Sequence, residues 1–142
     1  VIVSLDAGAL DALAGSDSPE RRRVRQAMEA ARRTGRDVVA ATLVLAELYR
    51  GPRRAQRIDA LLSRHEGAIV CRDTDRRLAR LVGGILHAGA SGSEDIVDAH
   101  VVAAAVDAGG GIVLTGDVDD LARLSAPYPA VVVEHLSGPA RR

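Results

Sequence analysis

The chain contains no lysine, no tryptophan and no phenylalanine. Tyr49 and Tyr128 are its only tyrosines, too few for the aromatic platforms on which single-stranded nucleic acid is usually stacked. One cysteine, Cys71, excludes a disulfide framework and a thiolate zinc site. Set in the apolar run A-I-V-C, it reads as a buried, inert thiol. No apolar run approaches the ~20 residues of a membrane span, so no membrane association is expected. The opening residues lack the basic and long apolar segments of an export signal, which makes the cytoplasm the expected location. The formal net charge is zero, so no global basic field draws the chain to nucleic acid.

What is present points to a soluble globular protein. Hydrophobic residues make up 47% of the 142 and charged residues 27%. That length suits one domain, expected over residues 1–136, with a flexible tail over residues 137–142. All 19 basic residues are arginine. They cluster at Arg21-Arg22-Arg23-Val24-Arg25 and Arg50-Gly51-Pro52-Arg53-Arg54. Guanidinium forks suit phosphate groups better than ammonium groups do, although a compositionally biased genome would also replace lysine by arginine.

Short apolar runs alternate with helical patterns. Strands are expected at Val1–Leu5, Val38–Ala41, Ala68–Cys71, Ile112–Thr115 and Val131–Glu134. Between them, helices are expected over Ala7–Ala14, from Pro19 to about Arg33, over Leu43–Arg50 with Thr42 as cap, and over Arg54–His65. Further helices are expected from Asp73 or Thr74 to about His87, over Glu94–Ala108 with Ser93 as cap, and over Asp117–Leu124. Apolar stripes of helical period support them, as at Leu78, Leu81, Val82 and Ile85. The alternation predicts an α/β fold, a central parallel sheet of four to five short strands flanked by helices.

Ligands of such sheets bind beyond the carboxyl ends of the strands, which directs attention to the acids found there. Asp6 follows the first strand and Asp117 the fourth, in L-T-G-D-V-D-D-L. Asp98 opens the long helix, in I-V-D-A-H, and Glu47 sits mid-helix in L-A-E-L-Y-R-G. Each has an ordinary alternative. Asp6 and Asp117 are good helix N-caps, the latter with Asp120 in the capping-box position. Glu94, Asp95 and Asp98 suit the positive end of a helix dipole, and Arg50 could pair with Glu47. Together they are harder to explain away. Two carboxylates ~4 Å apart repel by ~4 kcal/mol at an effective dielectric of ~20, so such a cluster protonates or binds a cation. Oxygen donors without histidine or thiolate suit Mg²⁺ or Mn²⁺, and a metal held by acids suits hydrolysis of a phosphodiester.

In this order and spacing, V-S-L-D-A-G-A-L, L-A-E-L-Y-R-G, I-V-D-A-H-V-V-A-A-A and L-T-G-D-V-D-D-L resemble the motifs of PIN-domain ribonucleases. The resemblance is strongest to the VapC toxins of type II toxin–antitoxin pairs, and it spans Val3 to about Leu124. It implies a PIN-like three-layer sandwich and Mg²⁺- or Mn²⁺-dependent endonuclease cleavage of RNA. It implies Asp6, Glu47, Asp98 and Asp117 as the catalytic acids. Asp6, Asp98 and Asp117 would be the metal ligands, with Glu47 and Asp119 as further candidates and Thr115 in support. It also implies a homodimer, a VapB-like antitoxin partner, assembly of the two into a larger complex, and inhibition of translation and growth. Arg50, Arg53 and Arg54, which follow the Glu47 helix, are the expected RNA contacts. His100 departs from the family pattern, and His65, His87 and His135 show no metal-binding spacing.

Other acidic-pocket proteins fit less well. A haloacid-dehalogenase-like phosphatase would have D-x-D where this chain has Asp6-Ala7-Gly8, and would use a lysine. A receiver-like module would use Asp73 as acceptor and leave Glu47 without a role. A catalytically inactive PIN-like binding module would not need all four acids.

Overall fold

The computed structural model describes residues 1–138. In chain order the elements are β1 (Ile2–Leu5), α1 (Ala7–Ala14), α2 (Pro19–Arg33), β2 (Asp37–Ala41), α3 (Thr42–Leu48) and α4 (Pro52–Arg64). They continue with β3 (Ile69–Arg72), α5 (Arg76–Ala88), a 3₁₀ turn (Ser93–Asp95), α6 (Ile96–Asp107), β4 (Gly111–Thr115), α7 (Val118–Ser125) and β5 (Val131–His135). The strands form one five-stranded sheet in the order β3-β2-β1-β4-β5, and every neighbouring pair is parallel. Ile2 of β1 stands opposite both Asp37 and Gly111, which makes β1 the central strand.

Helices cover both faces of the sheet, and successive residues of β1 show it. The Ser4 hydroxyl donates to the Val101 carbonyl of α6 at 2.9 Å. Val3, its neighbour, points the other way, into a groove lined by Arg23, Ala27 and Ala30 of α2. Burial on both sides explains why the strands are continuous apolar runs rather than alternating ones. α6 is buried from Ala99 to Ala105 without interruption, as a helix apolar on every side must be. Its alanines let it lie close across the sheet, and no larger side chain than histidine or valine intervenes.

The layered α/β architecture agrees with the sequence expectation, but several local details differ. Thr42 does not cap α3; its hydroxyl donates instead to Asp73 Oδ1 at 2.5 Å, across to the end of β3. Asp75, not Asp73 or Thr74, caps α5, accepting from Leu78 N–H at 2.8 Å. Ser93 caps no α-helix; the expected long helix starts as a 3₁₀ turn and becomes regular at Ile96. Cys71 is exposed, because β3 is an edge strand that buries only Ile69 fully. Of the tail expected over residues 137–142, Ser137 and Gly138 donate to the Nδ1 and carbonyl of His135, and residues 139–142 lie outside the described residues.

The passage from α6 into β4 is the tightest point of the frame. Gly109, Gly110 and Gly111 have φ of +85°, +121° and +147°, conformations that L side chains rarely adopt. A Cβ on Gly111 would stand 2.0 Å from the Ile2 carbonyl oxygen, whereas one on Gly109 would meet nothing within 4 Å. Gly111→Ala is therefore expected to destabilise the protein by about 3 kcal/mol or more, through forced separation of β1 and β4. Gly109→Ala carries backbone strain only, about 1 kcal/mol. Urea unfolding of the two variants checks the contrast; equal losses would mean that the β1–β4 approach is not what glycine at position 111 serves.

Candidate metal centre

β1 and β4 are the two strands between which the chain's connections diverge, β1 leading to β2 on one side and β4 to β5 on the other. Their carboxyl ends are the place where such a sheet opens a crevice. Asp6 is the first residue beyond β1 and Asp117 the second beyond β4. The pairing of Leu5 with Leu114 sets Asp6 beside Thr115.

Asp6 is 8% exposed and serves two purposes. Its Oδ1 accepts from Ala9 N–H at 2.8 Å, capping α1. Burial raises its pKa, while the Thr115 hydroxyl and the backbone N–H groups of Ala9, Gly116 and Gly8 draw it back down; the net direction is upward. Thr115 also accepts from Asp117 N–H at 2.8 Å. One residue thus holds the backbone of the acid after β4 and lowers the pKa of the acid after β1. Gly8 packs close to the same acid: a Cβ there would make ordinary contact with Asp6 Oδ1 at 3.4 Å and Gly116 N at 3.5 Å.

Asp117 occupies the N-cap position of α7, yet its side chain makes no capping hydrogen bond. Asp98 lies in the first turn of α6 and is half-buried. Its pKa is pushed up to about 6, first by burial and then by the charges of Asp120, Asp6, Glu47 and Asp117. No ion pair relieves it among the described residues. Glu47 is exposed on α3; Val44, Leu45 and Leu48 fill the core side of that helix. It makes no ion pair with Arg50 among the described residues, and its charge acts on Asp98 instead. Asp6, Glu47 and Asp117 are therefore each near enough to act on Asp98.

Asp119, exposed in the first turn of α7, is not among the charges acting on Asp98. Asp120 is, and the two sit in one tight group with Asp95: single carboxylate oxygens of Asp95, Asp98 and Asp120 lie within 4.8 Å of one another. In sequence terms Asp95 reads as a dipole acid and Asp120 as half of a capping box. The spacing of three between Asp95 and Asp98 is the signal that puts them on one helix face. The fold alone brings Asp120 alongside. Arg50, Arg53 and Arg54 are exposed beside the α3–α4 junction and form no ion pair among the described residues. Asp73 is tied to Thr42 at the sheet edge, outside this cluster. His100 is buried, with Nδ1 donating to the Ile96 carbonyl at 2.7 Å, a helix contact of its own.

An all-carboxylate donor set in which one acid is held near pH 6 by its neighbours fits a hard divalent cation. Among the described residues, the acids whose carboxylate oxygens converge within 4.8 Å are Asp95, Asp98 and Asp120; Asp6, Glu47 and Asp117 lie outside that group.

Comparison with known proteins bears on the family and the fold. The family model described as the PIN domain matches residues 3–127. Among solved structures, a chain of the crystal structure of VapBC2 from Rickettsia felis, bound to a DNA fragment from their promoter, matches with a TM-score of 0.63 at 15% sequence identity. The match covers 95% of this chain and 98% of that one; at such identity it is a likeness of fold. No curated protein sequence matches. No helix of the described residues is long and apolar enough to cross a membrane.

The Asp98 environment has a measurable consequence. A carboxyl whose pKa is raised on folding, from 3.8 to about 6, binds its proton more tightly in the folded state. The stability it contributes is complete below the unfolded value and is lost as pH rises through about 6. In metal-free protein, Asp98→Asn is expected to melt above wild type at about pH 7.5 and to converge with it near pH 4. Thermal melts in a chelator decide this; a variant no more stable than wild type at the higher pH would show that Asp98 is not under like-charge stress.

Proposed function

The chain belongs to the PIN-domain family, and on that premise we propose that it is a metal-dependent ribonuclease, the toxin of a toxin–antitoxin pair. The observation that carries the reading is Asp98, half-buried among four like charges and lacking any cation among the described residues. A carboxylate in that setting is poised for a divalent ion. Asp6, Asp98 and Asp117 would hold Mg²⁺ or Mn²⁺. When bound, such an ion supplies Lewis acidity toward a phosphoryl oxygen and a more acidic water.

The chain's own residues do the rest. Glu47, exposed on α3, orients the attacking water and accepts its proton. Thr115 keeps Asp6 and the Asp117 backbone in register. Arg50, Arg53 and Arg54 contact the RNA backbone, a role for which free guanidinium groups beside the α3–α4 junction are suited. Contacts of that kind position a strand without reading its sequence. The scarcity of aromatic side chains fits a protein that grips RNA by its phosphates rather than by stacking. The likeness to a VapBC2 structure supports a VapB-like antitoxin as partner; a homodimeric toxin, a larger toxin–antitoxin assembly, a cytoplasmic setting, and inhibition of translation and growth complete the proposal and rest on the resemblance of the motifs alone.

Asp6→Asn is the discriminating substitution, because asparagine can still cap α1 while removing the ligand charge. It is expected to keep the fold, to lower RNA cleavage at least about a hundredfold, and to abolish growth inhibition on expression. Undiminished cleavage by that variant, in a preparation free of other nucleases, would refute the assignment. Replacing Arg53 and Arg54 by glutamine should weaken RNA binding and reduce the slope of log K against log salt by roughly one unit per lost phosphate contact. Unchanged affinity and slope would take both residues out of the RNA interface.

A further inference from the structure

One basic side chain enters the acid cluster from within the chain. Arg123, in the last turn of α7, directs Nη2 to Asp95 Oδ2 at 2.9 Å and stands 3.6 Å from Asp120 Oδ1. Its Nη1 donates to Ser91 Oγ at 2.6 Å and approaches the Gly89 carbonyl at 3.4 Å. The guanidinium therefore ties three segments together: α7, the loop after α5, and the 3₁₀ turn that leads into α6. The contact with Asp95 holds that carboxyl below its ordinary range.

The six neighbouring acids thus divide into two sets. Asp95 and Asp120 share a permanent cation, and Asp6, Glu47, Asp98 and Asp117 have none among the described residues. Asp98 lies at the boundary, with an oxygen within 4.8 Å of both Asp95 and Asp120. Asp95, Asp98 and Asp120 are, among the described residues, the acids spaced closely enough to share an ion, and the guanidinium already lies against two of those three.

We propose that Arg123 is a positioning residue that stands in for a second metal ion: it engages Asp95 and Asp120, so that the site takes one divalent ion, on the side of Asp6, Asp98 and Asp117. The inference rests on the metal-binding reading above. Arginine suits the task because it stays charged at any physiological pH, so the substitution for metal does not lapse as the medium changes. Its fork is held by Ser91 and Gly89 on one side and the carboxylates on the other, and an incoming ion would have to displace all of these contacts.

The test counts ions rather than turnover. Mn²⁺ is titrated into the whole chain and followed by calorimetry and electron paramagnetic resonance. Wild type is expected to bind one ion with an isolated-spin spectrum. Arg123→Met should bind two with a spin-coupled spectrum. Arg123→Lys, which keeps the charge, should bind one, and Asp95→Asn combined with Arg123→Met should return to one. Arg123→Gln retains donors for Ser91 without the charge and should also bind two, which covers the case of a Met variant that does not fold. Two ions on wild type, or one on a folded Met or Gln variant, overturns the proposal and leaves the metal site standing. No Mn²⁺ binding by wild type overturns the metal reading, and this inference with it.

Discussion

Like charges gathered in a half-dry crevice repel, and the carboxyl end of this sheet is built around that repulsion. Three separate parts of the frame deliver the acids. The ends of β1 and β4 bring Asp6 and Asp117, the first turn of α6 brings Asp98, and α3 brings Glu47. The backbones that carry them are held in place. The strands are paired on both sides, α6 is buried along most of its length, and Asp6 is engaged as a cap. The same rigidity that makes the arrangement costly without a cation makes it receptive to one, because whatever binds the folded state and relieves the charge also stabilises that state.

Much of this was legible in the sequence because parallel strands buried on both faces announce themselves as apolar runs. Ala7–Ala14 and the span from Pro19 to Arg33 matched their helices, the second marked by Ser18 as cap and Pro19 in its first turn. The caps at Thr42 and Ser93 were not legible, because capping depends on where a hydroxyl turns. Thr42 had a better acceptor in Asp73, a residue distant in sequence and adjacent in space. Cys71 was misread for a related reason. An apolar run says that a strand exists but not whether it lies at the centre of the sheet or at its edge, and β3 lies at the edge.

The site divides along the same line. Asp6 and Asp117 could be placed from the rule that strand ends gather ligands, given only the strand boundaries. Glu47 stood out because no capping role is available mid-helix, and the pair with Arg50 that its spacing allowed does not form among the described residues. Asp95 and Asp120 each had an ordinary local explanation, and Arg123 had no motif at all. Their association depends on the packing of α7 against α6, which no short stretch encodes. Local reading found the residues whose neighbours in sequence could not account for them. It passed over those whose sequence neighbours offered a plausible role that the fold did not use.

The burial of α6 reaches beyond packing. A helix enclosed on every side, with one carbonyl also accepting from Ser4 of the central strand, belongs to the part of a protein whose amides exchange with solvent only on global unfolding. The 3₁₀ turn just before it is short, contains no buried residue, and is the kind of segment that opens locally. Asp98 and Asp95, three positions apart, therefore sit on either side of a boundary in local stability. The acid on α6 is carried by a helix that persists until the fold is lost, while its neighbour rides on a segment whose tie to the frame is the ion pair with Arg123.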